Sequence, residues 1–232
     1  MLEKILDLVF PKICIGCMKE GDFLCQSCFK KILAKKNKQY CPNCRRPNVI
    51  GAFCGDCCSC GFYFDQLLSY GVYKNDLLKN LIIKFKYKFI KELSELLSFL
   101  LFKTLTHYKI DFQKMLIVPV PLHKKRLNYR GYNQAGVLAI SLMNFLPDLQ
   151  IAYCLERVSF ETQQAKLNKI ERKENITNTI AVKKEFFDQL NGRSIILIDD
   201  VATTCNTLNE CSRVLKKAGA KNVCGLVLAR KW

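Results

Sequence analysis

Ser194-Ile195-Ile196-Leu197-Ile198-Asp199-Asp200-Val201-Ala202-Thr203-Thr204-Cys205-Asn206-Thr207 is an apolar run that ends in two acids and a hydroxyl-rich turn, and a helix-like stretch follows from Leu208 to Ala218. An apolar run without polar alternation is a strand covered on both faces, so the segment reads as parallel strand, loop and helix. The carboxyl edge of such a sheet is where α/β proteins bind ligands, and a helix amino terminus there offers free N–H groups and a positive dipole to a phosphate. Thr203, Thr204 and Thr207 add hydroxyl donors, and with Ala202, Cys205 and Asn206 they make up the candidate phosphate- and ribose-binding loop. Asp199 and Asp200, at the strand tip, are the candidate catalytic acids, placed to accept hydrogen bonds from sugar hydroxyls and to help hold Mg²⁺.

Upstream, Val118-Pro119-Val120-Pro121-Leu122-His123 leads into Lys124, Lys125, Arg126 and Arg130, a basic loop without acids just after a strand. A pyrophosphate group suits such a loop, which makes Lys124, Arg126 and Arg130 the candidate pyrophosphate ligands; a solvated basic turn is the alternative. His123 lies beside this loop, and His107 reads as the end of a helix. With two histidines in the chain, neither is placed as a general base.

The order Asp-Asp-x-x-Thr-Thr-x-x-Thr from Asp199 to Thr207 resembles the diphosphate-sugar signature of type I phosphoribosyltransferases. PVPL at Pro119–Leu122, followed by RxxxRGxNQA at Arg126–Ala135, resembles the ComF family of bacterial competence proteins. Thr162-Gln163-Gln164, Leu167, Arg172, Asn175 and Leu228-Ala229-Arg230 resemble further elements of that family, so the resemblance covers nearly the whole chain. It implies a phosphoribosyltransferase fold binding phosphoribosyl diphosphate with Mg²⁺, and a cytoplasmic factor in DNA uptake during natural transformation. The implied partners are incoming single-stranded DNA and a DNA-translocation helicase or other uptake proteins at the inner face of the membrane. Cys205 departs from the pattern, since relatives usually carry Gly there. A side chain is strained if the backbone needs positive φ, whereas ordinary φ would leave a thiol of lowered pKa at a helix amino terminus.

Ten of the 14 cysteines lie between Cys14 and Cys60, mostly in pairs with two residues between them, which in a reducing compartment means metal. Cys14/Cys17, Cys25/Cys28, Cys41/Cys44 and Cys54/Cys57 are four knuckles, enough for two closed, structural four-sulfur Zn²⁺ sites. Sequential pairing is expected, Cys14, Cys17, Cys25 and Cys28 at one site and Cys41, Cys44, Cys54 and Cys57 at the other. Interleaving, and a last knuckle drawn from Cys57 and Cys60, remain open. The second knuckle of site one runs into a helical tract, Phe29 to Leu33; that of site two has no such signal.

At 232 residues, half of them hydrophobic, the chain holds one α/β core plus a small module. The division is expected at 1–62 for a double zinc-ribbon-like module and 63–232 for a phosphoribosyltransferase-like domain, where cysteines give way to aromatics. The excess of 37 Lys+Arg over 20 Asp+Glu, a net +17, points to an anionic partner. The opening residues mix charges into their apolar pattern, and no run reaches the ~20 apolar residues of a spanning helix, so a cytoplasmic protein is expected. Asp76 to Phe102 reads as one or two helices, Asp76 serving as cap. Lys84, Lys86, Lys88 and Lys91 beside Phe85, Tyr87 and Phe89 admit a single-strand-binding strip, but helical periodicity favours core aromatics with solvated lysines.

The fold class expected is therefore α/β, a doubly wound parallel sheet of the type I phosphoribosyltransferase kind behind a cysteine-rich zinc module. Strands are expected at Met115–Val120, Ile151–Leu155, Ile195–Ile198 and Val223–Leu228, and helices at Asn133–Phe145 and Thr207–Ala218. Two other functions fit the same residues: a nucleobase-salvage phosphoribosyltransferase, and a non-catalytic nucleic-acid-binding module with a vestigial sugar-phosphate site.

Overall fold

The computed structural model describes residues 11–34, 38–87, 91–108, 115–158 and 179–231. The motif residues Thr162 to Asn175, together with Lys88 and Phe89, lie outside them. The helices are α1 (Gln26–Leu33), α2 (Asp76–Tyr87), α3 (Lys91–His107), α4 (Lys124–Arg130), α5 (Gln134–Leu142), α6 (Phe187–Leu190) and α7 (Asn206–Lys217). The strands are β1 (Gln39–Tyr40), β2 (Pro47–Asn48), β3 (Gln66–Val72), β4 (Leu116–Pro119), β5 (Gln150–Ile151), β6 (Leu155–Arg157), β7 (Ile180–Val182), β8 (Ser194–Ala202) and β9 (Asn222–Arg230).

Five strands form a parallel sheet in the order β3-β9-β8-β4-β5. From β4 the chain moves through α5 to β5 on one side, and from β8 through α7 to β9 on the other, so β4 and β8 flank a topological switch point. Right-handed crossovers running in opposite directions put their helices on opposite faces of the sheet. Alternation along β8 shows this: Ile196 and Ile198 join the core under α2, α3 and α5, while Ile195 and Leu197 join the core under α7. In α7 the buried Leu208, Cys211 and Leu215 recur at helical spacing, which fixes that face.

Three expectations are revised. The strand expected over Ile151–Leu155 is two short ones, because the chain leaves the sheet after Ile151 and β6 pairs antiparallel with β7 instead. Tyr153, 46% exposed, interrupts the apolar run that a two-sided strand would require. The basic segment after β4 is helix α4 rather than a loop, begun by the His123 side chain accepting the Lys125 N–H and ended by Gly131 at φ 77°. Helix α2 is preceded by Asn75, whose side-chain oxygen accepts the Leu78 N–H, so the cap falls one residue before Asp76. His107 does end α3, as expected.

Strand β3 was absent from the expected set; Ser69 and Gly71 dilute its β signal, yet it forms the sheet's edge beside β9. The cysteine-rich module covers that edge. The Gln39 side chain, 1% exposed, donates to the Ser69 carbonyl at 2.8 Å and accepts the Ser69 N–H at 2.9 Å, as a neighbouring strand would. Gly51 O accepts the Leu67 N–H at 2.9 Å, and the Tyr70 hydroxyl donates to Ile32 O at 2.7 Å. The edge groups that would otherwise invite another chain are thus satisfied internally.

Gly51 has φ 68°, and a Cβ there would lie 2.3 Å from Leu67 O. Gly51→Ala should therefore lower stability by roughly 2 kcal/mol or more. Gly55, with nothing within 4 Å of its would-be Cβ, should tolerate Ala. Thermal unfolding of the two variants checks the contrast.

Candidate anion pocket and zinc sites

A cavity of about 380 Å³ opens at the carboxyl ends of β4 and β8. Five cations line it (Lys86, Arg126, Arg130, Arg157 and Lys231) together with the two carboxylates Asp199 and Asp200 and the hydroxyls of Thr203 and Thr207. Tyr73, Asn133 and Gln134 complete its walls. Cations, carboxylates and hydroxyls in one concave site are groups that can pair with an anion and hydrogen-bond hydroxyls.

The strand alternation that builds the core also separates the two acids. Asp200 falls in the series of Ile196 and Ile198, on the face covered by α2, and there Lys86 Nζ lies 2.9 Å from its Oδ1. Both are largely buried, Asp200 being 6% exposed. Asp199 falls in the series of Ile195 and Leu197, on the α7 face, and its Oδ1 accepts the Asp200 N–H at 2.8 Å. Burial, then the charge of Asp200, pushes the Asp199 pKa up to about 7, against the opposing pull of Lys86 and Arg157. Lys86 is held by its neighbours: Phe85 is fully buried, its ring meets Tyr132 edge-on at 6.0 Å, and the Tyr132 hydroxyl donates to Phe85 O. Phe85 and the periodic helix are as the sequence favours, but Tyr87 is 58% exposed rather than in the core, and Lys86 sits in the cavity wall rather than in solvent.

Of the loop residues singled out in the sequence, Thr203 and Thr207 line the cavity with the two acids. Ala202 is buried beneath them, its carbonyl accepting the Lys231 N–H at 2.8 Å. Thr204 and Asn206 are exposed outside the lining, and Thr204 Oγ1 accepts the Asn206 N–H at 3.5 Å. Cys205, the residue before α7, has φ 63° and is 4% exposed. It takes the strained option, and burial raises its thiol pKa, which removes the reactive-thiol alternative. Arg126 and Arg130 reach the cavity from α4; Lys124 stands exposed on that helix, away from the lining. His123 is occupied as the helix cap.

Arg157, Lys86, Lys231 and Tyr73 were missed as site residues. They come from elements far apart in the chain. Arg157 ends β6, where its Nε donates to Pro121 O at 3.0 Å, and Lys231 follows β9 with its ammonium 5.7 Å from the Tyr73 ring centre. The one usable signal is a cation at the end of a strand that enters a parallel sheet, which Lys231 is. Gln134, noted only within its motif, is 2% exposed and accepts from Arg130 Nη1 at 2.9 Å, orienting that guanidinium.

The cysteines gather as the sequential pairing requires: Cys14, Cys17, Cys25 and Cys28 in one group, Cys41, Cys44, Cys54 and Cys57 in the other, the sulfurs of each within 4.8 Å of one another. A zinc tetrahedron with bonds of about 2.3 Å has sulfur–sulfur edges of about 3.8 Å. The Cys17–Cys25 and Cys44–Cys54 separations of 3.6 and 3.5 Å fit it. The first knuckles repeat one turn: Met18 N–H bonds Cys14 O and Arg45 N–H bonds Cys41 O, with φ of 62° and 65° at Met18 and Arg45. The second knuckles differ as expected, Cys25 opening α1 and Cys54 opening only a 3₁₀ turn. Cys58 and Cys60 are exposed, and Cys60 Sγ accepts from Asn43 Nδ2 at 3.1 Å. Among the described residues no helix is long and apolar enough to cross a membrane.

The family model described as "Double zinc ribbon domain" matches residues 5–58. The chain is 33% identical to Competence protein F of Haemophilus influenzae over 213 residues, 89% of this chain and 90% of that one. It is 33% identical to Competence protein ComFC of Bacillus subtilis, covering 92% of this chain and 86% of that one. DNA utilization protein YhgH of Escherichia coli K12 matches at 28%, over 86% and 87% of the two chains.

Metal analysis should find two zinc ions per chain, one after Cys44→Ser, and still two after Cys58→Ser or Cys60→Ser. Loss of an ion in the Cys60 variant would move a ligand of the second site to Cys60. A second expectation follows from Asp199. Its folded pKa, about 7, lies above the ordinary 3.8, so the folded chain holds a proton that the unfolded chain has released between those values, and stability falls as pH rises through that window. Asp199→Asn should therefore raise Tm, and by more at pH 8 than at pH 5. An equal gain at both pH values would contradict the assignment.

Proposed function

The chain belongs to the ComF family, and on that premise we propose that it binds phosphoribosyl diphosphate in the cavity at the β4–β8 switch point and acts in DNA uptake, handling incoming single-stranded DNA. The observation that carries the ligand is the five cations and two carboxylates converging at the strand ends. Arg126 and Arg130 serve the diphosphate, Thr203, Thr207 and the amino end of α7 the sugar phosphate, and Asp199 and Asp200 the ribose hydroxyls. Asp199 and Asp200 both line the cavity, from opposite faces of β8, and either would offer an oxygen to a Mg²⁺ that arrives on the diphosphate, since that ion keeps few protein ligands and relies on substrate oxygens. When bound, it supplies charge to the leaving group. Acids facing the ribose and cations facing the departing pyrophosphate are the arrangement that would favour loss of pyrophosphate, through fixed charge rather than proton transfer. The role in DNA uptake is supported by what the relatives' names state and by the net charge of +17.

Binding without turnover is a second reading with one feature in its favour: Cys205 holds a left-handed conformation at about 1–2 kcal/mol of strain in the loop before α7.

Calorimetric titration of phosphoribosyl diphosphate with Mg²⁺ tests the pocket. Wild type should bind, and an Asp199→Asn, Asp200→Ala double variant should lose roughly 30-fold or more in affinity while keeping both zinc ions. No binding to wild type overturns the ligand. Pyrophosphate release on mixing with DNA or free bases separates transfer from binding alone.

A further inference from the structure

Arg230 ends β9 and is 2% exposed. Its Nη1 donates to the carbonyl oxygens of Tyr40 and Cys41 at 3.3 and 3.4 Å, and its Nη2 to that of Pro42 at 3.0 Å. These three carbonyls belong to the knuckle that carries the first two sulfurs of the second zinc site. The same guanidinium meets the thiol of Cys205, at the head of α7. The backbone at this point continues into the pocket. Tyr73 N–H bonds Arg230 O at 2.7 Å, and the next residue, Lys231, bonds Ala202 O at 2.8 Å. Tyr73, Lys231 and the Thr203 that follows Ala202 all line the cavity.

A buried guanidinium needs acceptors and a counter-charge, because burial disfavours its charged form. The carbonyls supply the first. The second is supplied when zinc is bound, since four thiolates around Zn²⁺ carry a net charge of −2, and the ion joining Cys41 to Cys44 also fixes the turn that presents those carbonyls. The first site is docked differently, through the apolar face of α1, with Ile32 in the core and Phe29 5.9 Å from Phe99. Metal at that site does not bear on the cavity through any of these contacts.

We propose that Arg230 is a positioning residue which makes the second zinc site part of the anion pocket: zinc keeps the guanidinium docked, and the docked guanidinium holds Lys231 and the loop from Ala202 to Asn206 in ligand-receiving geometry. The proposal rests on the cavity being the ligand site and adds a regulation, dependence of anion affinity on metal at the second site.

Hydrogen exchange of the full zinc-loaded chain, read at Ala202–Asn206 and Lys231, tests it alongside calorimetry with inorganic pyrophosphate. Cys44→Ser and Arg230→Met should speed exchange at those amides at least tenfold while Ile195–Ile198 stays protected, and should weaken pyrophosphate binding at least fivefold. Cys17→Ser should leave loop exchange at the wild-type rate. Arg230→Lys, which keeps the charge but loses the fork, should lie between wild type and Arg230→Met. Unchanged loop exchange in the second-site or Arg230 variants overturns the proposal. So does equal acceleration in Cys17→Ser, or a Lys variant no better than Met. If a variant unfolds globally, stepwise removal of zinc from wild type with a chelator gives the same readout, with loop exchange expected to rise on loss of the second-site ion. Wild type that fails to bind pyrophosphate or phosphoribosyl diphosphate, with loop exchange still tracking the second site, would sink the ligand reading and leave the coupling standing.

Discussion

The alternation of side chains along β8 is the constraint on which the rest of the structure depends. A strand covered on both faces sends successive residues to opposite cores, so Ile196 and Ile198 anchor the α2–α3–α5 layer while Ile195 and Leu197 anchor α7. When that strand ends in two acids, they too part company. Asp200 meets Lys86 from α2, and Asp199 turns toward the α7 side, where burial holds its proton to about pH 7. One carboxylate is thus paired with a lysine and the other has its pKa raised by burial, from two neighbours of the same chemistry. The switch point between β4 and β8 then decides where the pair opens to solvent, and α4 brings its arginines over it.

The cysteine-rich module contributes structure rather than a reactive metal centre. Each four-sulfur set is complete, leaving no position for water or substrate, and about 60 residues with a small apolar core depend on such staples. What the module does for the sheet is cover its weakest side. Gln39 imitates a strand partner for Ser69, and Gly51 supplies an acceptor to Leu67 where any side chain would collide. The two sites repeat one turn but attach by different forces, apolar packing for the first and a buried cation for the second.

The local elements of this protein were legible in the sequence because local rules decide them. Knuckle spacing called for two four-sulfur sites and favoured sequential pairing, leaving interleaving and Cys60 for the fold to decide; an uninterrupted apolar run marked β8, and helical periodicity marked α2, α5 and α7. The strand tip and its hydroxyl-rich turn pointed to Asp199, Asp200, Thr203 and Thr207, and a cation-rich segment after β4 pointed to Arg126 and Arg130. Short or diluted signals failed. Strand β3, with Ser69 and Gly71, is defined by its neighbour β9 more than by its own residues, and α4 is made by a histidine cap and a terminal glycine around an otherwise polar segment.

Only the tertiary structure decided which distant side chains share a site. Lys86, Arg157 and Lys231 are separated by long stretches of chain, and their own surroundings do not say that they meet; the sheet order carries them to one cavity. It also decided that Cys205 takes a left-handed backbone with a buried thiol, and that Arg230 binds a zinc knuckle. The division has one physical cause. Spacing, periodicity and capping act over a few residues and are written in the chain, whereas burial, counter-charge and hydrogen-bond completion depend on what folding brings alongside.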